Sequence, residues 1–90
     1  MLEKPVGIYV TAAFAIPKSF TKAQREMAQR GELLPQVKPD AGNILKAVLD
    51  GLNGVAYPDD KNVYAVSCKK YYTTKDEQEG LTIYVYEGLT

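Results

Sequence analysis

Residues 38–54 of this 90-residue chain read KPDAGNILKAVLDGLNG and contain a helix together with its start signal. Pro39 biases the preceding residue away from helical geometry, and Asp40 is a preferred N-cap residue. The large apolar side chains that follow recur at helical spacing and form one stripe: Ile44, Leu45, Val48, Leu49 and Leu52. This pattern predicts a helix over residues 43–53 that buries the stripe and begins at a carboxylate.

The other face of this predicted helix is polar, and acids lie at both of its ends. Its exposed side chains are spaced three and four residues apart, namely Asn43, Lys46 and Asp50. Gly54 is a typical residue just past a helix end, and a short connector then leads to Asp59 and Asp60. A chain reversal this short predicts that the second acidic pair returns toward Asp40.

The flanking segments predict the rest of the fold. Residues 6–16 alternate apolar and other side chains with period two, as a half-buried strand does, and residues 63–72 and 81–86 also indicate strands. Residues 73–80 predict a hairpin loop. A second helix is expected to start at Ser19 or Thr21 and to end at Gln29, before Gly31. We expect one α+β domain over residues 1–90, with a small mixed sheet of about three strands and two helices on one face.

Composition excludes several kinds of chemistry. The single cysteine, Cys68, excludes an internal disulfide, and the absence of histidine excludes Ser-His and Cys-His nucleophiles and most zinc sites. Oxygen ligands and lysine remain. Residues 6–16 are too short to cross a bilayer and carry no signal-peptide pattern, so a cytoplasmic protein with no membrane partner is expected.

Charge is segregated along the chain although its formal net value is zero. Residues 1–38 carry six cations (Lys4, Lys18, Lys22, Arg25, Arg30, Lys38) against three glutamates. Residues 39–60 carry Asp40, Asp50, Asp59 and Asp60 against Lys46 alone. An acidic pocket beside a basic surface suits a divalent cation acting on a phosphodiester, whereas chance unevenness in a small domain is the simpler alternative.

The motif from Lys38 to Gly54, followed by Asp59-Asp60, resembles the signature of the RusA-type Holliday junction resolvases. The similarity extends from about residue 7 to residue 87. It implies a Mg²⁺-dependent endonuclease, with Mn²⁺ as a substitute ion, that resolves four-way DNA junctions in recombination and repair. Because such an enzyme cuts two strands related by a two-fold axis, a homodimer acting on branched DNA is expected.

The resemblance also implies roles for individual residues. Asp40, Lys46 and Asp60 correspond to catalytic positions, with Asp40 and Asp60 as metal ligands and Asp59 as an alternate ligand. Nucleic-acid contacts are expected from Lys18, Lys22, Arg25, Arg30, Lys38 and Asn43. Each acid also has a simpler structural alternative, since Asp40 is a helix cap and Asp59-Asp60 suits a turn.

Two features depart from the family pattern. Gly42 stands where the family has a metal-binding Asp, and the segment that usually precedes the first strand has no counterpart here. Loss of a carboxylate weakens a Mg²⁺ site, although Asn43 offers a carbonyl oxygen in partial compensation. Alternatively, Gly42 leaves helix N–H groups open to a DNA phosphate. Two further functions therefore stay open: a branched-DNA-binding protein that does not cut, for example from a phage or other mobile element, and a small structural or interaction protein.

Aromatic residues are concentrated near the C-terminus. Five of the seven tyrosines fall on the two predicted C-terminal strands: Tyr64, Tyr71, Tyr72, Tyr84 and Tyr86. Strand propensity explains part of this enrichment. Two functional interpretations remain, a dimer interface or a surface for stacking unpaired bases, and the edges of a small sheet favour the interface.

Overall fold

The computed structural model describes residues 4–73 and 78–88. Strands β1 (Val6–Phe14), β2 (Val63–Tyr72) and β3 (Gly80–Glu87) combine with helices α1 (Lys22–Gln29) and α2 (Ala41–Leu52). One turn of 3₁₀ helix, Asp60–Asn62, leads directly into β2. The predicted α+β class is confirmed. Within the described ranges, neither helix has the length and apolar character needed to cross a membrane.

The three strands form a mixed sheet in the order β2-β1-β3. β1 runs parallel to β2 and antiparallel to β3, so the first strand of the chain is the central strand of the sheet. The predicted hairpin between the last two strands is wrong, because β1 lies between them. Alternation predicts which face of a strand is buried, but it does not predict the neighbours of that strand. Residues 74–77 of the connection lie outside the described residues.

The hydrophobic core lies between one face of the sheet and α2. Alternate residues of β1 point into it, and Val6, Ile8 and Val10 are fully buried. Ile44 and Val48, four residues apart on α2, pack against this row. The predicted apolar stripe is confirmed, with the remaining members of the stripe partly buried around these two. Cys68 also packs against the core, and burial raises the pKa of its thiol.

α1 begins at a reciprocal cap. Thr21 Oγ1 accepts a hydrogen bond from the Gln24 backbone N–H at 3.2 Å, and Gln24 Oε1 accepts one from the Thr21 N–H at 2.8 Å. Of the two predicted starts, Ser19 and Thr21, the structure places the N-cap at Thr21. Ala28 alone is buried among the residues of this helix, because α1 lies at the edge of the sheet. Phe20 packs edge-on against Tyr72 of β2, with ring centroids 5.5 Å apart.

Lys70 ties the segment before α2 to the sheet. Its ammonium group donates a hydrogen bond to the Val37 carbonyl oxygen and lies 5.2 Å from the centre of the Phe14 ring. The start of α2 is thereby held near the C-terminal end of β2.

The second face of the sheet is aromatic and exposed. Tyr9 and Tyr84 stack with ring centroids 5.6 Å apart, and Tyr64 meets Tyr86 edge-on at 6.5 Å. Each of these four rings is between 36% and 58% exposed. Gly7 makes the arrangement possible, because a Cβ atom there would lie 2.1 Å from Cζ of the Tyr86 ring. We call the four rings and Gly7 the tyrosine face.

The core packing leads to a stability prediction. Ile44→Val removes one methylene group from a side chain that is 5% exposed, so we expect the free energy of unfolding to fall by about 0.5–1.5 kcal/mol. Val55→Ala trims a side chain that is 70% exposed, and its effect should stay within about 0.5 kcal/mol. Denaturant unfolding of both variants measures the difference, and equal effects would show that Ile44 does not pack in the core as described.

Candidate active site

Asp40 is the N-cap of α2. Its backbone is extended (φ −76°, ψ 164°), and its Oδ1 accepts a hydrogen bond of 2.8 Å from the Asn43 backbone N–H. The predicted cap is therefore confirmed, although the helix itself starts at Ala41, two residues earlier than its apolar stripe indicated. Asp40 is exposed, and the cap engages one of its two carboxylate oxygens.

Gly42 lies next to this carboxylate in the first turn of α2. A Cβ atom built on Gly42 would lie 3.5 Å from Asp40 Oδ1, an ordinary van der Waals contact. The first turn contains no acidic side chain of its own. A Cβ atom is therefore accommodated at residue 42, and an aspartate there would add a second carboxylate near Asp40.

Lys46 and Asp50 lie on the exposed side of α2, as their spacing predicts. Their four-residue separation would permit an ion pair, but no such pair forms among the described residues. Lys46 therefore projects from the second turn of the helix without an intrahelical carboxylate partner at salt-bridge distance.

The second acidic pair starts the 3₁₀ turn before β2. Asp59 Oδ1 accepts a hydrogen bond of 3.0 Å from the Lys61 N–H, and the Asp59 N–H donates one of 3.2 Å to Asn62 Oδ1. Asp60 is exposed, yet its Oδ1 accepts a hydrogen bond of 3.2 Å from the hydroxyl of Tyr57. The turn expected at these residues is confirmed, and it is fixed by four side chains rather than by backbone alone.

Tyr57 is the buried residue of this region. It is fully inaccessible to solvent, and its hydroxyl lies 3.3 Å from the Leu49 carbonyl oxygen as well as 3.2 Å from Asp60 Oδ1. Burial raises the pKa of the Tyr57 phenol, and the hydrogen bond to Asp60 adds to the rise. The phenol therefore keeps its proton at neutral pH and donates it in a hydrogen bond.

The two acidic positions lie toward opposite ends of α2. Asp40 caps the first turn, whereas Asp60 is linked through Tyr57 to Leu49 in the last turn. About 13 Å of helix axis separates residue 40 from residue 49. Oxygens that share one Mg²⁺ ion lie within about 4 Å of each other, because each bond is about 2.1 Å long. Within one chain, the expected return of Asp59 and Asp60 toward Asp40 is not observed.

The reason is the course of the chain after α2. Gly54, with φ at +77°, turns the chain at the helix end, and β2 then runs back beside α2 until Lys70 contacts the segment before the helix start. Asp60 precedes β2 and so stays at the far end. Across residues 4–73 and 78–88, no three acidic, histidine or cysteine side chains come close enough to hold a metal ion.

The donors at the far end nevertheless suit Mg²⁺ chemically. Mg²⁺ takes oxygen ligands and commonly binds one or two carboxylates while it keeps several waters. The hydrogen bonds described above engage Oδ1 of Asp59 and Oδ1 of Asp60, so the second oxygen of each carboxylate is the donor that a cation would use.

Comparison with known proteins shows the family of this chain. The family model described as Endodeoxyribonuclease RusA matches residues 1–86. The chain belongs to the RusA family. An uncharacterized protein of Bacillus subtilis (strain 168), YqaN, is 36% identical to it over 81 residues. That match covers 88% of this chain but 57% of YqaN, so the chain spans little more than half of that relative. No solved structure matches the chain.

Membership of the RusA family confirms the resemblance seen in the motif of residues 38–54. The roles of Asp40, Lys46 and Asp60 in catalysis, and of Asp59 as an alternate ligand, stay predictions for this chain. Of these, Asp40 and Lys46 lie near the start of α2, while the other two acids lie near its end.

The cations predicted to contact DNA differ in whether they already have partners within the chain. Arg25 Nη2 donates to the carbonyl oxygens of Pro17 and Lys18, at 3.3 and 3.1 Å, and Arg30 Nη2 lies 3.0 Å from Glu32 Oε2. Both guanidinium groups are thus engaged within the chain. Three further cations of the set, Lys18, Lys22 and Lys38, are exposed, as is Asn43. DNA contact by these residues stays a prediction.

Two residues that contact the segments around Asp40 and Asp60 were missed in the sequence. Tyr57 precedes Pro58 and two aspartates, a pattern that indicates an exposed turn, although an aromatic residue three positions before an acid was an available signal. Lys70 lies on a strand far along the chain from Val37, and no local pattern links the two.

The two roles of Asp40 can be separated by substitution. Asp40→Ala should lower the free energy of unfolding by about 1 kcal/mol, because the Asn43 N–H loses its acceptor. Asp40→Asn keeps a capping oxygen and should retain most of that stability, while it removes the negative charge that a cation needs. Denaturant unfolding and Mn²⁺ titration of both variants test this. Equal destabilisation by the two would show that the cap is not the source of the stability.

Proposed function

We propose that this protein is a RusA-type endonuclease of four-way DNA junctions whose Mg²⁺-dependent activity is weakened at residue 42. Membership of the RusA family supports the substrate class. The weakening is supported by one observation: Gly42 leaves space beside the Asp40 carboxylate that the backbone geometry would allow a second carboxylate to occupy. Asp40, at the N-cap, is therefore the sole carboxylate at the start of α2.

Electrostatics explains why Gly42 would weaken cation binding at the start of α2. The N-terminus of a helix carries a partial positive charge, which accommodates acidic side chains but repels a cation. A single carboxylate largely offsets that field, and a second is needed to make the position attractive to Mg²⁺. With Gly42, the first turn is closer to neutral, and backbone N–H groups there are also open to a DNA phosphate.

Each part of the proposed site has a separate task. Bound Mg²⁺ activates water and neutralises charge on phosphoryl oxygens. Lys46, one turn along α2 from Gly42, would stabilise the developing negative charge, and the exposed lysines of residues 18–38 would hold the DNA backbone. Asp59 and Asp60 supply the oxygen donors at the other end of the helix.

Restoring the missing carboxylate tests this function. Gly42→Asp should raise affinity for Mn²⁺ and Mg²⁺ by roughly tenfold, because one more charge lies beside Asp40, and it should create or increase cleavage of a labelled four-way junction. Gly51→Asp is the matched control, since it adds the same side chain on the same helix where nothing lies within 4 Å.

Asp40→Asn in the Gly42→Asp background should abolish the gained cleavage, because it removes the neighbouring carboxylate at the same helix start. If calorimetry finds no change in metal binding for Gly42→Asp, residue 42 is not a ligand position and the proposed weakening is wrong. Substrate class is tested separately, by comparing binding to a four-way junction and to a linear duplex in EDTA. Equal affinities would contradict junction recognition.

A second function, junction binding without cleavage, is favoured by the same glycine and by the lack of a three-acid group among the described residues. Under that alternative the chain binds four-way junctions in EDTA, and metal adds nothing at any concentration. A structural or interaction protein would instead show no preference for branched DNA.

We further propose that two copies associate through the tyrosine face. Apart from Lys69 near one edge, the side chains on this side of the sheet are uncharged, so the surface offers little attraction to a phosphate backbone. Its exposed aromatic rings are typical of the residues enriched in protein interfaces. A C₂ dimer would cover this face and supply the two sites that a junction with two-fold symmetry requires.

Sedimentation analysis tests the dimer. Tyr84→Glu introduces a charge into a stacked pair on the tyrosine face and should weaken dimerisation at least about tenfold. Val55→Glu, on an exposed loop away from this face, should leave dimerisation unchanged. Monomers at micromolar concentration for the unmodified chain would contradict the proposal, and equal weakening by both variants would exclude the tyrosine face as the interface.

A further inference from the structure

Tyr57 connects the hydrophobic core to an exposed acid. Its ring belongs to the same buried cluster as Ile8 and Val48, yet its hydroxyl reaches Asp60 Oδ1 at 3.2 Å. The second neighbour of the hydroxyl, the Leu49 carbonyl oxygen, is also an acceptor, and a phenol has one proton to donate. The charged carboxylate is the stronger acceptor of the two, so the proton lies mainly toward Asp60.

The backbone around Tyr57 fixes the ring independently of Asp60. Residues 53 and 57 form an isolated bridge, and the Gly54 N–H donates to the Tyr57 carbonyl oxygen at 2.9 Å. The N–H groups of Val55 and Ala56 both donate to the Leu52 carbonyl oxygen at 2.9 Å. The hydroxyl position is thus set by the end of α2 and by the core, while Asp60 lies in an exposed turn.

We propose that Tyr57 is a positioning residue: it orients the Asp60 carboxylate so that Oδ2 meets the divalent cation. The inference rests on the proposed function, in which Asp60 is a ligand. An exposed aspartate samples several rotamers, and each metal-binding event must select one of them. The hydrogen bond from a fixed donor makes that selection before the ion arrives, as partners of metal-binding carboxylates do elsewhere.

Removal of the hydroxyl provides the test. Tyr57→Phe keeps the buried ring and should weaken Mn²⁺ binding, followed by the electron paramagnetic resonance of the free ion, by about tenfold. Tyr72→Phe is the control, because Tyr72 is also buried but packs against Phe20 at the other end of the sheet. Its Mn²⁺ affinity should equal that of the unmodified chain.

A purely structural role is distinguished by a double-mutant cycle. In an Asp60→Asn background, Tyr57→Phe should cause no further loss of Mn²⁺ affinity, because the carboxylate it orients is gone. A loss of the same size in both backgrounds would show that Tyr57 acts through folding, and would overturn the positioning role. The free energy of unfolding is measured for the unmodified chain, both single variants and the double variant, so that a change in stability is separated from a change in Mn²⁺ affinity.

The failure of this inference differs from the failure of the proposed function. Measurements are made in the unmodified chain and in Gly42→Asp. If either binds Mn²⁺ through Asp60 and Tyr57→Phe leaves its affinity unchanged, the positioning role alone is wrong. If a protein binds Mn²⁺ and Asp60→Asn leaves its affinity unchanged, Asp60 is not a ligand, and the role of Tyr57 is overturned while the metal site beside Asp40 stands. If neither protein binds Mn²⁺, the metal-dependent function and the role of Tyr57 are both overturned.

Discussion

The rest of this fold depends on the pairing of β1 with both other strands while one of its faces is buried under α2. Val6, Ile8 and Val10 are fully inaccessible to solvent, so the apolar surface of these side chains is removed from water and stabilises the fold. β1 is parallel to β2 and antiparallel to β3, and neither of those strands has a second partner among the described residues. Loss of β1 would therefore remove the pairing of the sheet and the apolar surface against which α2 packs.

The position of α2 then determines where each acid lies. Ile44 and Val48 dock the helix on β1, Lys70 holds the segment before its start, and Tyr57 closes the space at its end. Asp40 and Asp59 occupy exposed positions at a helix start and a turn start, where their oxygens accept hydrogen bonds from backbone N–H groups. Asp60 instead accepts one from the Tyr57 hydroxyl. The positions of the Asp40 and Asp59 carboxylates thus follow from capping, and the capped segments are in turn placed by the packing of apolar residues in the core.

Sequence patterns predicted the elements of this structure better than their arrangement. The alternation in β1, the stripe on α2 and the caps Thr21 and Asp40 are local features, and each was recognisable within a few residues. Strand order and the separation of Asp40 from Asp60 depend on how distant segments pack. A short connector rich in Asp, Pro and Gly indicates a turn but does not specify the direction in which the chain leaves it. The buried position of Tyr57 was missed for the same reason.

Gly42 has both a cost and a benefit for the stability of α2. Glycine within a helix costs roughly 0.5–1 kcal/mol relative to alanine, and an acid in the first turn would gain from the helix dipole. The backbone at residue 42 requires no glycine, because its φ is not positive and a Cβ atom fits there. An aspartate beside Asp40 would, however, place two carboxylates in close contact, and without a cation their repulsion opposes folding. The glycine removes that repulsion while Asp40 still caps the helix. With Gly42, α2 therefore forms without a carboxylate repulsion that a bound cation would otherwise have to offset.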